Sequence, residues 1–173
     1  MLPHIKDKRI FITGGAGFIG STLIGRLVDE NQITVYDDFR RDALSGKPFA
    51  GHENLRVVRG DVLDLDSLRK SIGDAQIVVH CAAIAGIDTV IKRPTETMRV
   101  NMIGTANILE AAKSLPHLER LVDFSTSEVF GSAALRAEEG AETHIGAVGE
   151  ARWTYAVSKL AGEHLAKAYH DEF

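Results

Sequence analysis

Residues 13–20 read Thr-Gly-Gly-Ala-Gly-Phe-Ile-Gly, TGGAGFIG in one-letter code. The β-rich run 8–13 leads into this stretch, and Ile19, Leu23, Leu27 and Val28 then recur at helical spacing. A strand, a glycine-rich turn and a helix in this order let Gly14, Gly17 and Gly20 bring the backbone close to a pyrophosphate, with the helix N-terminus facing its charge. The spacing G-x-x-G-x-x-G departs from the usual G-x-G-x-x-G, and glycine also marks ordinary turns, so the context carries the reading. Working outward, residues 33–36 form a second strand and close a βαβ unit. Residues 55–58 form the next strand. Asp64 then caps a short helix bearing Leu65, Leu68 and Ile72, and residues 75–80 form a fourth strand. A helix over 101–114 turns Met102, Ala106, Leu109 and Ala112 inward, residues 120–124 supply a fifth strand, and a last helix starts near Tyr155. The alternation predicts an α/β fold with a doubly wound parallel sheet.

The chain has 173 residues, enough for one domain that buries roughly 70% of its unfolded surface, and 1–173 is read as one dinucleotide-binding domain. Its 45% apolar and 25% charged residues are ordinary for a globular protein, and a net charge of -4 offers no basic footprint for nucleic acid. No apolar run approaches the roughly 20 residues that span a bilayer. The opening MLPHIKDKRI lacks signal-peptide character, so the expected compartment is the cytoplasm and no membrane partner is expected. Cys81 follows an apolar run and reads as a buried inert thiol rather than a reactive one. The seven histidines show no metal spacing, so no metal is expected.

Asp37, with Asp38 behind it, ends the second strand, where a carboxylate can accept hydrogen bonds from both hydroxyls of an adenosine ribose. A 2'-phosphate would meet like charge there. Arg40 and Arg41 can soften that repulsion, but Asp37 is the closer position, which favours NAD over NADP. Asp61-Val62 follows the third strand, where the carboxylate can accept from an adenine amino group or simply turn the chain after Gly60. In His80-Cys81-Ala82-Ala83, the small alanines let a dinucleotide lie against the backbone, and His80 reads as a structural hydrogen-bonder rather than a base. Residues 40–54, with Gly46, Pro48 and Gly51, wrap the surface near the adenosine end. Residues 131–152 form a long loop read as substrate-facing.

Tyr155 and Lys159 stand one helical turn apart in YAVSK. A tyrosine exchanges protons near neutrality only if its pKa of about 10 is pulled down, and a lysine four residues on supplies the charge. With Gly162 they share one stripe, expected to face the cleft, while Val157, Leu160, Ala161, Leu165 and Ala168 form an apolar stripe expected to pack on the sheet. Thr126, just past the fifth strand, can share a hydrogen bond with the same substrate oxygen. Alone, Y-x-x-x-K is usually a surface pair on a helix. Joined to the other two signals it is specific.

Together, TGGAGFIG, Asp37, Asp61-Val62, HCAA, Asn101-Met-Ile-Gly-Thr, STSEVFG and YAVSK resemble the extended short-chain dehydrogenase/reductases, the NAD-dependent epimerase/dehydratases that modify nucleotide sugars. The resemblance spans essentially the whole chain. It implies a Rossmann-type sheet and a tightly held NAD, bordered by Phe18 and Ile19 in the glycine turn and by Cys81, Ala82 and Ala83 after the fourth strand. The sugar would be oxidised, commonly at C4, to a keto intermediate to which hydride later returns. Tyr155 would be the base and later the acid, Lys159 would bind the nicotinamide ribose, Thr126 would orient the sugar hydroxyl, and Asn101 would support the cofactor side. In Thr126-Ser127-Glu128, Ser127 replaces the acid typical of 4,6-dehydratases. STSEVFG followed by RWTYAVSK is also similar to UDP-glucuronate decarboxylases, in which Glu128 would lie near the sugar; otherwise Glu128 caps the following turn. The expectation is therefore a UDP-sugar 4-epimerase, with a UDP-glucuronate decarboxylase and a noncatalytic NAD-binding module as alternatives. Members of the family continue well past the Tyr155 helix into a substrate-binding domain, which implies that this chain is a fragment or a shortened product. Their usual homodimer uses the helix after Asn101 and the Tyr155 helix, and uncovered apolar surface would add to self-association.

Overall fold

The computed structural model describes residues 4–133 and 137–173. Five runs become strands: β1 (Arg9–Thr13), β2 (Gln32–Asp37), β3 (Leu55–Arg59), β4 (Ile77–His80) and β5 (Arg120–Asp123), with β-branched residues prominent in β1, β2 and β4. They pair in parallel in the order β3-β2-β1-β4-β5. The helices are α1 (Phe18–Leu27), α2 (Leu65–Ile72), α3 (Ile87–Lys92), α4 (Pro94–Met98), α5 (Gly104–Ala112) and α6 (Ala151–Glu172). Strand order reverses at the β1/β4 neighbours, and right-handed crossovers then place α1 on one face of the sheet and α2 on the other. The doubly wound parallel sheet expected from the sequence is the fold observed.

The chain divides into two compact units, one running to Ala82 and resuming over Asn107–Phe124, the other comprising Ala83–Ala106 and Ser125–Phe173. In the first unit the two-residue period of the strands sorts the core. Ile10, Ile12, Ile33, Val35 and Val79 join Ile24, Val28 and Leu44 in one cluster with α1. Phe11, Tyr36 and Val78 occupy the alternate positions, with the Phe11 and Tyr36 rings 5.9 Å apart. Burying each such aliphatic side chain contributes about 1.5–3 kcal/mol.

Residues 40–54 run over the surface as expected, and two apolar side chains anchor them to the core. Ala43 N–H donates to the Ala16 carbonyl at 2.7 Å, and Asp42 Oδ1 accepts from Leu44 and Ser45 N–H. Leu44 is thereby buried and Phe49 packs onto α1 beside Gly25. These two positions tie the segment to the core.

In the second unit, α3 and α4, which the sequence pattern did not suggest, pack on α6. Pro94 occupies the first turn of α4, where its missing N–H leaves no bond unmade. A π-helical turn over Arg99–Ile103 precedes α5, and the extra residue turns the inward face away from that of a regular helix. Asn101, Thr105, Ile108, Leu109 and Ala112 point inward, while Met102, expected there, is exposed and Ala106 is half-buried. The last helix begins at Ala151, a turn before Tyr155, with Glu150 accepting the Trp153 indole N–H at 2.8 Å. The apolar stripe expected to pack on the sheet is not the buried one. Ala156, Ser158, Lys159 and Gly162 are buried, whereas Val157, Leu160, Ala161 and Leu165 are only half-buried and Ala168 is exposed. Trp153 is also buried. The loop expected over 131–152 is partly ordered: Ser127–Ala133 form 3₁₀ turns kinked at Gly131, and His144 N–H donates to the Val129 carbonyl at 3.2 Å. Residues 134–136 of that loop lie outside the described residues.

Candidate functional site

At the carboxyl end of β1, Gly14 adopts φ +68° and its N–H donates to the Tyr36 carbonyl at 3.0 Å. A Cβ there would lie 2.5 Å from the Ala82 nitrogen and 2.7 Å from the Cys81 carbonyl carbon, so the turn is pressed against the backbone that follows β4. Cys81 is half-buried, and its N–H donates to the Thr13 carbonyl at 2.9 Å. His80 is fully buried, with Nδ1 2.6 Å from the Thr13 hydroxyl. It is a hydrogen-bonding post, as expected.

Gly17 caps α1 without a side-chain hydrogen bond, Gly20 is buried in the first turn, and Phe18 and Ile19 are exposed, Phe18 by 81%. Among the described residues the N-cap of α1 thus offers its first-turn N–H groups no side-chain acceptor, and such N–H groups are the donor set a phosphate takes at a helix N-terminus.

Asp37 is built into this turn. Ala16 N–H donates to its Oδ2 at 2.9 Å and Phe39 N–H to its Oδ1 at 2.8 Å, and Phe39 takes φ +62° to do so. Burial raises the carboxyl above its usual range, and these two N–H groups partly offset that rise. Next to it, Asp38 pairs with Arg40 Nε at 2.8 Å, so one of the two arginines that could meet a 2'-phosphate is already engaged by a carboxylate. Asp61 is exposed beyond β3, its Oδ1 accepting from Leu63 N–H at 2.9 Å, and Val62 is buried. The turn reading of Asp61 holds for that one oxygen.

In the second unit Asn101 is 1% exposed and bonds both main-chain groups of Ile84: Ile84 N–H donates to Oδ1 at 2.8 Å, and Nδ2 donates to the Ile84 carbonyl at 3.1 Å. The same Nδ2 donates to the Ser158 hydroxyl at 3.0 Å, which donates to the Tyr155 carbonyl at 2.7 Å. The segment after β4 is thus tied through Asn101 to the helix of Tyr155. Lys159 is 3% exposed and Tyr155 is half-buried, so the pair is not the exposed surface pair that Y-x-x-x-K usually signifies. Thr126 is half-buried, its hydroxyl accepting from Glu128 N–H at 3.3 Å, and Glu128 is exposed on the following turn. The Ser125 hydroxyl donates to Glu163 on α6. Sequence reasoning passed over Ser158, Tyr36 and Asn107. Ser158 had a visible signal in its place beside Lys159, while Tyr36 and Asn107 had none, since their contacts join distant segments.

The model of the NAD dependent epimerase/dehydratase family matches residues 10–173. The chain belongs to this family. Among its relatives is a UDP-N-acetyl-alpha-D-glucosaminuronate decarboxylase of Bacillus cytotoxicus, 36% identical over 94% of this chain and 50% of the relative. A dTDP-glucose 4,6-dehydratase of Streptomyces niveus is 39% identical over 94% and 49% of the two chains. Among solved structures, UDP-glucuronic acid 4-epimerase from Bacillus cereus, in complex with UDP-glucuronic acid and NAD, superposes with a TM-score of 0.82 at 31% identity, covering 95% of this chain and 53% of that one. The chain spans about half the length of the curated relatives it matches. Among the described residues, no helix is long and apolar enough to cross a membrane.

Proposed function

We propose that this chain is the NAD-binding and proton-transferring part of a nucleotide-sugar enzyme, a UDP-sugar 4-epimerase working through transient oxidation of the sugar to a 4-keto intermediate. The observation that carries the reading is Asp37, buried and held by Ala16 N–H, which joins a ribose-binding carboxylate to a phosphate-binding turn. Gly14, Gly17, Phe18, Ile19 and Gly20 would border the pyrophosphate, Asp37 and Asp38 the adenosine ribose, and Asp61 and Val62 the adenine. Cys81, Ala82, Ala83 and Asn101 would line the remaining length of the dinucleotide. When bound, the dinucleotide supplies a hydride acceptor and donor.

The chain's own residues supply the proton chemistry. Tyr155 takes the proton of the sugar hydroxyl and returns it, Lys159 holds the nicotinamide ribose and favours the phenolate, and Thr126 hydrogen-bonds the same hydroxyl. Residues 1–173 are read as one NAD-binding domain, and the protein works as a homodimer. NAD is preferred to NADP because the carboxylate of Asp37 repels a 2'-phosphate. A UDP-glucuronate decarboxylase is the second reading, favoured by the decarboxylase among the relatives and by an exposed Glu128 two residues beyond Thr126.

Incubating the chain with NAD and UDP-glucose or UDP-glucuronate, and following products by proton NMR, tests both readings. The 4-epimer is expected when the chain is joined to a family substrate-binding domain, and Tyr155→Phe should then abolish it. A UDP-pentose with release of carbon dioxide would favour the second reading, and Glu128→Gln should then suppress it. NAD binding without conversion of either sugar, and indifferent to Tyr155→Phe, would leave a noncatalytic NAD-binding module. Sedimentation of the same sample tests the dimer.

A further inference from the structure

Two part-buried contacts outside the residues assigned above converge on the main chain of Asp61-Val62. Tyr36, fully buried in β2, donates its hydroxyl to the Asp61 carbonyl at 3.1 Å. Its ring lies so close beneath Gly60 that a Cβ there would be 2.2 Å from Cζ; only glycine lets the chain pass over the phenol. From α5, Asn107 Nδ2 donates to the Val62 carbonyl at 2.9 Å. Consecutive carbonyls are thus held from two sides by side chains of two different elements. Gly60 N–H, in turn, donates to the Asp37 carbonyl at 2.9 Å, so Tyr36 stands between the strand end that carries Asp37 and the turn that carries Asp61. One Asp61 oxygen is spent on Leu63 N–H, and among the described residues no hydrogen bond to the other is found.

We infer that Tyr36 and Asn107 are positioning residues for base recognition, which clamp the Asp61-Val62 main chain so that the Asp61 carboxylate reads the amino edge of adenine. The inference rests on the dinucleotide reading above. A carboxylate discriminates between an amino group and a carbonyl oxygen only when it cannot swing away, because a mobile one relaxes toward water when the wrong base arrives. The clamp therefore acts on selectivity more than on affinity as such. Tyr36→Phe removes one oxygen while keeping the ring that packs on Phe11 and under Gly60, so the variant retains its core.

The test is calorimetric titration of the chain with NAD and with nicotinamide hypoxanthine dinucleotide, in which a carbonyl oxygen replaces the adenine amino group. The native chain is expected to prefer NAD by roughly tenfold or more, and Tyr36→Phe and Asn107→Ala to reduce that ratio to below about threefold, with affinity for the hypoxanthine analogue held within about twofold. A merely structural role would weaken both dinucleotides equally and leave the ratio intact, and that result overturns the assignment. So does a native chain that takes up NAD without discriminating. A native chain that binds neither dinucleotide overturns the cofactor reading and this assignment with it, which separates the two failures.

Discussion

The N-termini of α1 and α2 both follow parallel strands of one sheet, yet they are finished in opposite ways. At α2, Asp64 accepts the Ser67 N–H at 3.0 Å and Asp66 adds negative charge to the first turn. At α1, Gly17 provides no side-chain acceptor and the first turn carries no acid. The carboxylate nearest that turn, Asp37, spends its oxygens on Ala16 and Phe39 N–H, outside the helix. At the self-capped end one first-turn donor is already taken by a carboxylate. An end left open beside a pinned glycine turn retains its donors for a ligand, and its backbone polarity favours an anion.

The largest effect expected from this contrast is at Gly14. Gly14→Ala forces a Cβ to within 2.5 Å of the Ala82 nitrogen at φ +68°, strain that should cost roughly 2–4 kcal/mol and move the turn off its phosphate position. Thermal melting should drop and NAD uptake should vanish; normal uptake would break the link between this turn and the dinucleotide. Next is Gly17→Asp, which makes α1 resemble α2. The backbone at Gly17, φ -73° and ψ 177°, suits an N-cap aspartate, and because its Cβ would lie 3.2 Å from the Gly14 carbonyl oxygen the ligand-free protein should gain at most a few tenths of a kcal/mol. NAD affinity should fall about 10- to 100-fold, because a negative charge then occupies the phosphate's place. Gain in stability with loss of binding is the signature; loss of both would mean that the cap strained the turn.

The strands, the glycine turn and the Asp64 cap were legible because each rests on local pattern: β-branched runs, glycine between strand and helix, and an acceptor ahead of an apolar period. What escaped depends on partners distant in sequence. The buried face of α6 could not be read from its apolar stripe, since Ala156, Ser158, Lys159 and Gly162 are buried while Leu160 and Leu165 remain half-exposed. Met102 fell on the wrong side because a π-helical turn shifts the period, a change no hydrophobic pattern records. Candidate residues were recognisable by type, but the cross-links that hold them were not. Asn101 on Ile84 and Ser158, and Asp37 on Ala16, appear only once the chain is folded.

Acid should sharpen the same contrast. Burial holds the Asp37 carboxyl above its ordinary value of 3.8. Ribose hydroxyls need the carboxylate as acceptor, so NAD affinity should be full above that raised pKa and fall about tenfold as pH drops through it. For folding the sign is opposite. A carboxyl with a raised native pKa favours the protonated native state, so its stabilising contribution is present below 3.8 and lost as pH rises through the native value. Titrating NAD binding and ligand-free melting of the native chain against Asp37→Ala over this acid range checks both signs. Parallel pH dependence in the two chains would remove Asp37 from the site.

The smallest expected effect belongs to the closed helix end. Asp64→Ala deprives the eight-residue α2 of its cap and should cost about 1 kcal/mol, a fall in melting temperature of roughly 2–4 °C for a chain of this size. NAD affinity should stay within about twofold, because the Asp64 oxygen that caps the helix is committed to Ser67 and the α2 donors are not offered to a ligand. A tenfold loss of affinity without further destabilisation would show that the α2 end also takes part in binding, and the contrast between the two helix starts would fail. If melting falls and binding holds, the difference between the two ends is that α2 closes on itself while α1 remains open to the dinucleotide.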